Sequence, residues 1–96
     1  MSAIGLVEIR GLVPAIEVVD RMTKTADVKF LTWEKKLGGW LVTVIVKGEI
    51  SAVQAAVESS VEYAINYVAA SAVIPNPHPE IMKQISISSE KCSDLF

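Results

Sequence analysis

The sequence predicts an α+β fold of the split βαβ, ferredoxin-like kind: a four-stranded antiparallel sheet with two main helices and a short C-terminal helix. Three observations predict it. Short β-branched runs and helix-spaced apolar stripes follow one another as strand, helix, strand, strand, helix, strand. A glycine pair, Gly38-Gly39, marks a chain reversal between the two middle strands. The run 41–46, interrupted only by Thr43, is apolar on both faces, as in a strand at the centre of a sheet.

Residues 3–10 are apolar and β-branched with Glu8 and Arg10 alternating outward, and Gly11 ends this first strand. Leu12, Ala15, Ile16, Val19, Met22 and Ala26 then recur at three-and-four spacing, predicting a helix over 12–26. Pro14 suits its first turn, where a missing N–H leaves no bond unmade. Glu17 with Arg21, and Asp20 with Lys24, make i,i+4 pairs on its wet side. Residues 28–34 read as a second strand, with Val28, Phe30 and Thr32 on one face and Lys29, Leu31 and Trp33 on the other. The third strand spans 40–47, and Gly48 closes it. Ser51 is the expected cap of a second helix reaching Val68, whose alanines at 52, 55, 56 and 64 allow close approach to the sheet. Residues 71–74 form a short fourth strand before the proline-rich segment 75–79. One or two helical turns follow over 80–85. The chain is thus expected to form a single domain over 1–85, with 86–96 a polar, serine-rich, flexible tail that ends in Leu95-Phe96.

Composition bounds the function. Ninety-six residues make a domain near the lower size limit for a self-sufficient core, yet 51% are hydrophobic and 21% charged. Such a chain has apolar surface to spare, which predicts association with copies of itself. A net charge of −2 with no basic run longer than Lys35-Lys36 argues against nucleic acid as a partner. No apolar stretch is long enough to cross a lipid membrane as a helix, and the first residues do not resemble a secretory signal, so a cytoplasmic protein is expected. The single cysteine, Cys92, rules out an intrachain disulfide, and with one histidine, His78, no metal site is expected. No catalytic constellation is present. His78 has no sequence neighbour suited to orient it, and Glu8, Glu17, Glu34 and Glu49 read as solvated charges.

The fold order alone fits many functions, but the residues narrow it. The stretches Ile4-Gly5-Leu6-Val7-Glu8, Arg10-Gly11-Leu12-Val13, Trp33-Glu34-Lys35, Leu41-Val42-Thr43-Val44-Ile45-Val46-Lys47-Gly48 and Val73-Ile74-Pro75-Asn76-Pro77-His78 resemble the hexameric bacterial microcompartment (BMC domain) shell proteins. That family includes the tiles of carboxysomes and of propanediol, ethanolamine and choline organelles. The resemblance runs from about residue 3 to residue 85, and individually its motifs are weak patterns. It implies a non-enzymatic structural protein without a cofactor. Six copies would form a flat homohexamer that tiles with other shell proteins into the shell of a cytoplasmic microcompartment around encapsulated enzymes, with a central pore for small polar or anionic metabolites.

By the same resemblance, Lys36, Leu37, Gly38, Gly39 and Trp40 match the pore loop, which in most relatives reads Lys-Ile-Gly-Ser-Gly. This chain has one extra residue before the loop, Gly39 in place of the serine and Trp40 in place of the last glycine. Glycines let six backbones converge on an axis without Cβ collisions. Trp40 taken alone reads as a core or subunit-contact residue, and both readings stand. Lys35 and Lys36, repeated around an axis, would favour anions. Lys24 matches the edge lysine through which neighbouring hexamers pack. Asn76 stands where relatives carry an edge arginine, and His78 follows it as an edge hydrogen-bonding residue. Asparagine lacks the arginine fork, which predicts weaker or differently angled tiling. A small-molecule-binding or regulatory oligomeric module on the same ferredoxin-like fold, holding an anion at Gly38-Gly39, is the alternative.

Overall fold

Strands with bulky apolar residues on both sides take the middle of the sheet. The computed structural model describes residues 2–93, in which β1 (Ser2–Arg10) pairs antiparallel with β3 (Leu41–Glu49) from Ser2↔Glu49 to Arg10↔Leu41. Strands β2 (Lys29–Lys36) and β4 (Val68–Pro75) flank them in the order β2-β3-β1-β4, every pairing antiparallel. Val42, Val44, Ile45 and Val46 of β3 are all buried, as a central strand requires. This is the predicted split βαβ arrangement.

Helices α1 (Leu12–Thr25) and α2 (Ile50–Tyr63) cover one face. Ala15, Val18 and Met22 of α1 and Val53, Ala56 and Val57 of α2 meet Val7 and Ile9 of β1 and Val42, Val44 and Val46 of β3. Gly5 is part of this contact. A Cβ built on it lies 2.7 Å from Val57 Cγ2 and 2.8 Å from Val53 Cγ1, so α2 sits where only a glycine leaves room. The expected surface pairs of α1 form, Glu17–Arg21 at 2.7 Å and Asp20–Lys24 at 2.9 Å.

Several local details differ from the sequence reading, each for a visible reason. The buried stripe of α1 runs through Val18, while Leu12 and Ile16, expected inside, are exposed. In β2 the register shifts between Phe30 and Thr32. This bulge breaks the strict alternation: Phe30 and Trp33 pair with the core-facing Val46 and Val44, their rings 5.6 Å apart, while Leu31 packs on the opposite face. Ser51 is not the cap of α2, because β3 pairs through Glu49 and the helix starts directly at Ile50. The same helix stops at Tyr63 rather than reaching Val68. Ala64 is extended, and the Asn66 side chain accepts the Tyr67 N–H at 2.8 Å while donating to the Arg10 carbonyl at 3.2 Å. Residue 68 therefore opens β4.

The C-terminal helix, α3 (Pro79–Ser93), is longer than the two turns expected and continues through residues assigned to the tail. It lies on the other face of the sheet. Ile85 packs with Ile4 and Ile45, flanked by Met82, Leu6 and Leu31. The fully buried Thr32 hydroxyl meets the Ser88 hydroxyl at 2.9 Å. Tertiary contact of this kind, rather than intrinsic propensity, sustains a serine-rich helix. The terminal Leu95-Phe96 and the Cys92 side chain lie outside the described residues.

Candidate functional site: the glycine loop and the opposite end of the sheet

Pairing of Lys36 with Leu41 leaves residues 37–40 to reverse the chain. They do so through one 3-10 turn, Leu37–Gly39, closed by the Trp40 N–H donating to the Leu37 carbonyl at 3.2 Å. Three consecutive residues adopt left-handed backbone, with φ of 53° at Leu37, 67° at Gly38 and 94° at Gly39. Leucine occupies this region at a steric cost that glycine escapes. A Cβ at Gly38 or Gly39 would meet nothing within 4 Å. No packing inside the chain therefore excludes a side chain at either glycine. Leu37 and Trp40 are 75% and 57% exposed, and Lys35 and Lys36 are exposed beside them.

The structure adds residues that sequence spacing did not single out. Arg10 ends β1 in register with Leu41, which itself pairs with Lys36. Its guanidinium carbon lies 5.6 Å from the Trp40 ring centroid and 5.6 Å from that of Tyr67. The Gly11 N–H donates to the Trp40 carbonyl at 2.9 Å. Three chain connections thus meet at one end of the sheet. The only signal available beforehand was pairing register, which a single sequence does not provide.

The predicted edge residues lie at the other end. Lys24 is in the last turn of α1, exposed and paired with Asp20. The backbone of Asn76 donates to the Ser2 carbonyl at 2.8 Å, holding the end of β4 to the start of β1. Its φ of 48° suits asparagine, among the residues that tolerate this region best. His78 precedes α3, and its Nδ1 accepts the Glu80 N–H at 3.0 Å, acting as an N-terminal cap. Asn76 and His78 are brought together, and the nine-residue span of β1 separates their end from the glycine loop by about 30 Å at ~3.4 Å per residue. Among the described residues no cluster of three or more His, Cys, Asp or Glu side chains is placed to hold a metal ion, and no helix is long and apolar enough to cross a membrane.

Residues 3–77 match the model of the BMC domain family. Over 84 residues, covering 85% of this chain and 88% of the relative, the sequence is 46% identical to the bacterial microcompartment shell protein PduA of Salmonella typhimurium. It is 41% identical over 90 residues to the carboxysome shell protein CsoS1C of Hydrogenovibrio crunogenus, covering 91% of this chain and 87% of that one. A crystal structure of a microcompartments protein from Desulfitobacterium hafniense superposes with a TM-score of 0.79 at 33% identity over 92% of this chain, which spans 48% of that longer chain. The chain belongs to the BMC domain family and is a shell protein of a bacterial microcompartment. Both of these curated relatives are shell proteins.

Proposed function

We propose that six copies close into a ring with the 37–40 loops around the axis and the Lys24, Asn76 and His78 ends at the rim, where rings join edge to edge. The observation that carries this reading is the placement of these two residue sets at opposite ends of one rigid sheet. A tile needs one end for its centre and the other for its neighbours. The glycine pair supports the same reading: its left-handed backbone turns the chain tightly, and the open space over both residues leaves room for other copies to approach. So does the exposed apolar surface at Val13, Ile16, Tyr63, Ile65 and Tyr67, which is more than a chain this small needs to leave in water. The ring pairs with other shell proteins, encloses enzymes, and passes small polar or anionic metabolites. Lys35 and Lys36 bias that passage towards anions at low salt.

Light scattering of the purified protein at micromolar concentration should give the mass of a hexamer, and sheets or tubes should form as concentration rises. A stable monomer overturns the proposal, and a dimer or trimer holding a stoichiometric metabolite favours the binding-module alternative. At the rim, Asn76→Arg is expected to strengthen sheet formation seen by electron microscopy. The same change lowers chain stability by about 1–2 kcal/mol, because arginine takes the left-handed backbone less readily. Unaltered assembly of the variant removes residue 76 from the edge.

A further inference from the structure

We infer that Arg10 holds the Trp40 indole away from the opening bounded by Gly38 and Gly39, making this arginine a positioning residue for the pore; the pore consequence rests on the assembly proposed above. The bases of the side chains involved are fixed relative to one another. Gly11 N–H binds the Trp40 carbonyl, Asn66 binds the Arg10 carbonyl, and Tyr67 N–H binds the Asn66 side chain. On that frame the guanidinium reaches both rings at 5.6 Å, within the range of cation–π attraction. Among the described residues no carboxylate forms an ion pair with Arg10, so the rings are its partners.

The alternative position for the indole is empty. Apart from each glycine's own chain neighbours, nothing of the chain lies within 4 Å of a Cβ built on Gly38 or Gly39, and Trp40 follows them directly. An unrestrained Trp40 ring is free to enter that space. Six such rings around an axis would narrow the opening. Arg10 prevents this by binding the ring at the end of β1, and Tyr67 gives the guanidinium a second ring contact. Lysine is a poor substitute, since a compact ammonium lacks the planar face that stacks on an indole.

Labelling with 5-fluorotryptophan gives one 19F resonance for each of the two tryptophans, Trp33 and Trp40, without altering the chain further. In Arg10→Ala the Trp40 resonance should move towards the position of a solvent-exposed indole while Trp33 stays in place. Loss of the contact lowers the ratio of held to free ring by about two- to fivefold. Arg10→Lys should recover part of the shift, and Tyr67→Leu should move Trp40 in the same direction as Arg10→Ala but less. Assembled shells of Arg10→Ala should pass solute more slowly, and adding Trp40→Gly should restore the rate. A Trp40 resonance unmoved by Arg10→Ala overturns the inference, as does an equal shift of Trp33, which would report general loosening. The assembly reading fails separately, if the wild-type protein is not a hexamer, and the 19F result then still decides the contact itself.

Discussion

Gly5→Ala is expected to lower the unfolding free energy by about 1–3 kcal/mol, the usual cost of overpacking a full core. The added methyl meets Val57 Cγ2 at 2.7 Å and Val53 Cγ1 at 2.8 Å, closer than carbon atoms approach without displacement. Neither valine can swing aside, because a β-branched residue in a helix has one strongly preferred rotamer. The strain therefore passes to the backbone, and α2 must lift from β1. Urea unfolding at fixed protein concentration measures the effect, with concentration held because association is linked to stability. Gly5→Leu is expected not to fold. Adding Val57→Ala to Gly5→Ala should return part of the loss, and the interaction term of that double-mutant cycle reports the contact directly. A wild-type midpoint for Gly5→Ala would mean that α2 stands further from the sheet.

The second large effect concerns passage rather than stability. Gly39→Asp introduces no collision within the chain, and the left-handed backbone at φ 94° adds about 1–2 kcal/mol of strain. Ring formation should survive. In the proposed ring, six carboxylates at the axis would lie within a screening length of about 10 Å at 0.1 M salt, so their fields would add. Flux of an anionic metabolite through assembled shells should fall several-fold, flux of a cation should rise, and both changes should shrink as salt increases. Equal flux of the charged metabolite in variant and wild type would take residue 39 out of the pore.

Much of the architecture was legible because it rests on periodicity. The spacing of Ala15, Val19 and Met22 located α1 to within a residue, and apolar residues on both faces around Val44 identified the central strand. What stayed hidden depends on partners distant in the chain. The bulge at Leu31 leaves no composition signal, and it puts Trp33 on the same face as Phe30 and Thr32 on the opposite one. The end of α2 is decided by an Asn66 side chain that needs the Arg10 carbonyl beside it. Residues 86–93 look like a polar tail until Ser88 finds the buried Thr32. The candidate loop was visible as a glycine pair between strands. Its neighbours Arg10 and Tyr67 were not, since only the β1–β3 and β1–β4 registers bring them to Trp40.

The attachment of α3 has a consequence for how such a wall can diversify. Two of its anchors, Ile85 and Met82, belong to a small apolar cluster separate from the one that joins α1 and α2 to the sheet, and the third, Ser88, meets the Thr32 hydroxyl. Neither the glycine loop nor Lys24 takes part in it. In the ring proposed above, one surface could therefore be rewritten, in length or in charge, while the glycine-loop end and the Lys24 end keep their shape. Two shells with the same lattice and the same opening can in this way present different coats to whatever lies against them.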